Sequence, residues 1–124
     1  MKLRIHGNAI RLRLSRTDVA RFSESGYIVE SVDFGPMGKF NYALMAAEDF
    51  TLRCKYDRSG MCISVPRNLA HDWIHTDRVD ISGDQPFDNG SILHVAVEKD
   101  FQCIHKDSEF NLDAYPNPLS SHAD

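Results

Sequence analysis

Long apolar runs are missing from this chain of 124 residues: one of the longest, Tyr42 to Ala47, spans six residues, against the roughly 20 that a membrane-spanning helix needs. Cysteine is scarce and odd in number. Cys54, Cys62 and Cys103 form no C-x-x-C pair, which excludes a dense disulfide framework and a thiolate zinc ribbon. The opening Met1-Lys2-Leu3-Arg4-Ile5 is followed by no apolar core and no small-residue cleavage site, so a secretory signal is not expected and the cytoplasm is the expected compartment. Basic residues are also in deficit, 14 Lys and Arg against 18 Asp and Glu. A chain of net charge −4 is a poor nucleic-acid binder, because phosphate contacts need clustered Lys and Arg. Neither nucleic acid nor a membrane is an expected partner.

Catalytic signatures are absent too. No Ser or Cys sits in G-x-S-x-G, no H-E-x-x-H occurs, and Gly35-Pro36-Met37-Gly38 carries a proline and precedes a strand, not the helix a phosphate loop requires. No catalytic residue is assigned on this basis.

What the sequence does contain is partial self-similarity. At a shift of 51, Leu14-Ser15-Arg16 falls on Val65-Pro66-Arg67, Phe22 on Trp73, Ile28 on Val79, and Tyr42, Leu44, Ala46 on Leu93, Val95, Val97. Leu3-Arg4 matches Leu52-Arg53 at a shift of 49. A repeat of this length points to one supersecondary unit used twice, each copy burying the other's apolar face.

Hydrophobic periodicity fills in the unit. Leu3 and Ile5, then Ile10, Leu12 and Leu14, alternate with basic residues about the turn Gly7-Asn8, which reads as a β-hairpin. Ser15 with Asp18 reads as a helix N-cap and Gly26 as its C-terminal stop. Strands follow at Tyr27 to Phe34 and Phe40 to Ala46. The second unit repeats the order: strands about Leu52 to Tyr56 and Met61 to Val65, a helix opened by Pro66, then strands at Arg78 to Ser82 and Ile92 to Val97. The expected fold is α+β, an antiparallel β-barrel-like domain built from two pseudo-twofold β-β-α-β-β repeats, with about eight strands and two short helices. The expected domain is 1–106, with repeats at 1–48 and 51–100, and 107–124 form an irregular C-terminal tail.

Two groups of residues could carry chemistry. Arg4, Arg11 and Arg13, joined by Lys2, project from one face of the first hairpin, where guanidinium groups at alternate positions can grip an anion or an acidic segment. Alternation on the solvent face of a half-buried sheet produces the same pattern without a ligand. Charge is uneven along the chain: residues 1–62 hold ten Lys and Arg against seven Asp and Glu, while residues 63–124 hold four against eleven. A basic first half therefore faces something acidic, either its own second half or another subunit. The second group is His94, Cys103 and His105, with Asp107 and Glu109 nearby, a set able to hold a divalent metal but lacking any recognised ligand spacing. No other cofactor is expected. The function that fits is a small binding or interaction module, self-associating or bound to an acidic protein; the alternative is a metal-dependent enzyme using His94, Cys103 and His105.

The opening Lys2-x-Arg4-Ile5-x-Gly7-Asn8-x-Ile10-Arg11-Leu12-Arg13-Leu14, the middle Val65-Pro66, and the close Val97-Glu98-Lys99-Asp100-Phe101-x-Cys103 with Pro116-Asn117-Pro118 resemble a family of small bacterial proteins of uncharacterised function. The resemblance covers most of the chain and implies a bacterial, cytoplasmic protein. It implies no activity and carries over no catalytic residue.

Overall fold

The computed structural model of the chain describes residues 1–100. Strand β1 (Lys2–His6) turns through Gly7-Asn8 into β2 (Ala9–Leu14), and helix α1 (Arg16–Ser25) follows. The helix starts where the sequence says. Ser15 Oγ accepts from the Asp18 N–H at 3.2 Å, and the Asp18 carboxylate accepts from the Ser15 N–H at 3.0 Å, a reciprocal capping box. Gly26 ends it in the left-handed conformation at φ 74°, its N–H donating to the Phe22 carbonyl at 2.7 Å. Strands β3 (Tyr27–Asp33) and β4 (Lys39–Ala47) complete the first half. The second half runs β5 (Arg53–Asp57), β6 (Gly60–Pro66), α2 (Arg67–His75), β7 (Asp80–Pro86) and β8 (Ile92–Lys99). Pro66 is the cap of α2 and not its first helical residue. The seventh strand begins and ends later than the sequence pattern indicates, and 87–91 join it to β8.

The mixed α+β class holds, but the strands do not close into a barrel, and the arrangement matches the barrel-like expectation only loosely. The strands form two four-stranded sheets, β1-β2-β8-β7 and β3-β4-β6-β5, and neither is wholly antiparallel. Each hairpin docks in parallel on the last strand of the opposite half, β2 on β8 and β6 on β4. These parallel pairs occupy the sheet centres and leave β1, β7, β3 and β5 as edges. Where edges of the two sheets approach, side chains bridge them in place of a backbone ladder. The Cys54 N–H donates to Gln85 Oε1 at 2.7 Å and Gln85 Nε2 donates to the Cys54 carbonyl at 3.2 Å. On the other flank the Met1 ammonium lies 2.6 Å from Glu30 of β3 and 2.8 Å from Asp18.

Register corrects the alignment of the two halves. Leu3 pairs with Leu12, and Cys54 pairs with Ile63, so the first hairpins correspond at a shift of 51 and the Leu3-Arg4 match to Leu52-Arg53 is off by two. Ile28 pairs with Leu44 and Ile81 with Val97, so from the third strand of each unit onward the correspondence shifts to 53. Ile81, 1% exposed, takes the place expected for Val79, which is 49% exposed. The extra residues lie between helix and strand: Gly26 alone joins α1 to β3, whereas 76–79 join α2 to β7.

The inner faces of both sheets and one side of each helix meet in one hydrophobic cluster that includes Leu12, Leu14, Leu44, Ile63, Val95 and Val97. Phe22 and Trp73 lie at its helical side, both essentially fully buried. Burying an aromatic ring of this size contributes roughly 1.5–3 kcal/mol of transfer free energy.

A candidate anion-binding face

Alternation that drives Leu12, Leu14, Val95 and Val97 inward must turn their neighbours outward. The register sets those neighbours in rows across the β1-β2-β8-β7 sheet. One row is Lys2, Arg13, Glu98 and Asp80; the next is Arg4, Arg11, Ala96 and Ser82; the third is His6, Ala9, His94 and Asp84. The small residues Ala9, Ala96 and Ser82 leave the middle of this face low. A depression of about 940 Å³ opens there, walled by Arg4, Arg11, His6 and His94 and bounded on β7 by Ser82 and Asp84.

The three arginines expected to act together are divided by their partners. Arg13 donates to Glu98 Oε1 from Nε at 2.9 Å and lies 2.8 Å from it through its terminal nitrogen. Arg11 Nε stands 3.5 Å from the other Glu98 oxygen. Lys2 pairs with Asp100 at 3.6 Å. The basic hairpin thus faces the chain's own acidic second half along one row, and Glu98 is only 15% exposed between its arginines. Arg4 makes no ion pair among the described residues and stands directly opposite Arg11 on the neighbouring strand. Two guanidinium groups facing one another cost free energy unless an anion lies between them or nearby. Arg13 is bound to Glu98 and does not line the depression.

His94 enters this site from a different direction than expected. Its Nδ1 lies 2.7 Å from Asp84 Oδ1, across the antiparallel β7-β8 pair. That contact fixes the ring and leaves Nε2 for another partner. Cys103 and His105, expected beside it as metal ligands, lie outside the described residues. Among the described residues no group of three His, Cys, Asp or Glu side chains could hold a metal ion. Cys54 and Cys62 stand on opposite faces of the second sheet, since Cys54 pairs with Ile63 and Cys62 with Lys55. His71 and His75 stack at 4.3 Å between ring centroids on α2, remote in the fold from the arginine face.

Sequence reasoning missed His6, Ser82, Asp84 and Glu98. His6 was within reach, being in phase with Arg4 on β1. The other three needed the parallel β2-β8 pairing, which joins segments more than 80 residues apart and leaves no local trace.

Among the described residues, fold and face together define an α+β protein of two mixed four-stranded sheets and two α-helices, with arginines about a hollow on one sheet. The chain belongs to a family of unknown function (DUF7009), whose model matches residues 1–119. No curated protein and no solved structure matches it. No helix among the described residues is long and apolar enough to cross a membrane.

Proposed function

We propose that this protein is a cytoplasmic binding module that arose from two fused copies of a β-β-α-β-β unit and takes an anion on the outer face of its β1-β2-β8-β7 sheet. The observation that carries the reading is the opposed pair Arg4 and Arg11 at the wall of the hollow, with Arg4 free of any ion pair among the described residues. Guanidinium forks bind carboxylate and phosphate oxygens bidentately, and an anion between them removes their mutual repulsion. Glu98 is held closest by Arg13 and only at 3.5 Å by Arg11, so Arg4 and part of the Arg11 charge are left for an anion in the hollow. The strand orders support duplication: exchanging the two halves of the chain converts one sheet's order into the other's.

The test is a calorimetric titration of inorganic phosphate and of an acidic peptide at low salt, with wild type and with Arg4→Glu/Arg11→Glu. Wild type binds at least one of them, affinity falls as ionic strength rises, and the double variant loses binding while its melting temperature holds. Equal binding by the double variant, or none by wild type, refutes the reading.

A further inference from the structure

The hollow is much larger than a bare oxyanion requires. A single water occupies roughly 30 Å³ of liquid and a tetrahedral oxyanion only a few times that, whereas this open depression offers about 940 Å³. A ligand held by Arg4 and Arg11 therefore has room for a body that extends along the sheet.

The rest of the lining says what that body is. Among the described residues no Phe, Tyr or Trp lines the depression, so a nucleobase finds no large aromatic ring there, only the imidazoles of His6 and His94. The side chains of Ile10 and Val95 turn towards the core, which leaves Ile5 at the edge as the one large exposed apolar residue among the described lining, too small a wall for an acyl chain. What faces the arginines across the hollow is polar: the Ser82 hydroxyl on β7, and His94 held by Asp84. With Nδ1 against Asp84, His94 Nε2 is left to meet a ligand hydroxyl. Asp84 Oδ2 accepts a second, and the Ser82 hydroxyl donates or accepts. The carboxylate at this end repels a second phosphate.

Strand spacing sets the distance. Neighbouring strands lie about 4.8 Å apart, so β7 stands roughly 10 Å from Arg11 on β2 and roughly 14 Å from Arg4 on β1. Long arginine side chains close part of that gap, leaving the span of a sugar attached to one phosphate.

We infer that the hollow binds a phosphorylated polyol, such as a pentose or hexose monophosphate, with its phosphate between Arg4 and Arg11 and its hydroxyls on Ser82, Asp84 and His94. This rests on the anion-binding reading above and adds the ligand class.

Ribose 5-phosphate, inorganic phosphate, ribose and adenosine 5′-monophosphate, titrated separately into the full chain, test it. Ribose 5-phosphate binds at least tenfold more tightly than phosphate, and ribose alone binds weakly or not at all. Asp84→Asn and Ser82→Ala each lower ribose 5-phosphate affinity several-fold while leaving phosphate affinity unchanged or raised. Both residues are exposed, and unchanged melting temperatures show that these variants fold. If ribose 5-phosphate binds no better than phosphate, or both variants leave their ratio unchanged, the ligand class is wrong and the anion site stands. Tenfold tighter binding of the nucleotide than of ribose 5-phosphate also overturns the class. If no anion binds, both readings fall.

Discussion

Phe22 and Trp73 meet edge to face, with ring centroids 6.4 Å apart and ring planes inclined by 64°. Each is the seventh residue of its helix, and both are buried in the one hydrophobic cluster. Trp73 is further fixed by its indole N–H, which donates to the Val79 carbonyl at 2.9 Å. Phe22→Ala therefore leaves a void against the indole and costs about 3–5 kcal/mol. A double-mutant cycle of Phe22→Leu and Trp73→Leu, measured by urea unfolding, gives a coupling of about 0.5–1.5 kcal/mol beyond the two single losses. Strict additivity would show that the rings only fill space.

Gln85 stands in for the missing backbone ladder between β5 and β7. Its amide satisfies both the N–H and the carbonyl of Cys54, and Cys54 is buried. Gln85→Leu removes both hydrogen bonds without shrinking the side chain much. The expected loss is about 1–3 kcal/mol, from stranding buried backbone groups. Hydrogen exchange at the Cys54 amide should accelerate more than at Ile63 on the adjacent strand. If the two amides respond alike, the bridge is not what joins the sheets.

Local chemistry was legible wherever a residue's role depends on neighbours a few positions away. Ser15, Asp18 and Gly26 announced α1, and the alternation from Leu3 to Leu14 announced the first hairpin with its arginines outward. Long-range pairing was not legible. Parallel docking of β2 on β8 depends on which strand of the distant half presents a complementary apolar face, and the same alternation serves a barrel or two sheets equally well. The two-residue slip after α2 was hidden for a related reason: Val79 and Ile81 share the same phase, so pattern alone does not choose between them. Arg13 shows the limit at the site itself, since only the register reveals Glu98 beside it.

Stability should depend on pH through the Met1 ammonium and Asp18, 2.8 Å apart. Burial alone would raise the Asp18 carboxyl, but hydrogen bonds from the ammonium and from Ser15 outweigh it and hold the group below its ordinary 3.8. Its contribution is present above that value and disappears as pH falls through the lowered one. Burial alone would lower the ammonium, but Asp18 and Glu30 hold it above its ordinary 8.0. Its contribution is complete below 8.0 and disappears as pH rises through the raised value. Urea midpoints should thus plateau between about pH 4 and 8 and fall on both sides. Asp18→Asn should lower the plateau and flatten both limbs; a profile parallel to wild type throughout would exclude this pair as the cause.

Thiol chemistry should separate the two cysteines of the second hairpin. Burial, with the neighbouring Cys62 thiol adding to it, pushes the Cys54 thiol up to about 11. Cys62 is only partly buried, and burial with the nearby Asp57 raises its thiol while Lys55 opposes them. Because the thiolate is the reactive form, iodoacetamide at pH 8 should leave Cys54 unmodified in the native protein and alkylate Cys62 slowly. Peptide mapping by mass spectrometry assigns each label, and denaturant should abolish the difference. Opposite faces also forbid a bridge between them. Rapid native labelling of Cys54 would mean that β5 opens far more readily than its burial implies.

Glu98 sets how much positive charge the hollow presents. It holds Arg13 at 2.8 Å and Arg11 at 3.5 Å, so it competes with any anion for Arg11. Glu98→Gln keeps the size of the side chain and one acceptor oxygen for Arg13 while removing the charge. Anion affinity should then rise several-fold at low salt, and the gain should shrink towards zero as salt is added, because the effect is a charge acting across a solvent-exposed site. Stability should fall by no more than about 1–3 kcal/mol from weakening a part-buried charged hydrogen bond. The outcome that contradicts this picture is weaker binding in Glu98→Gln with stability intact. In that case Glu98 serves to orient Arg11 towards the ligand, and its geometry outweighs its charge.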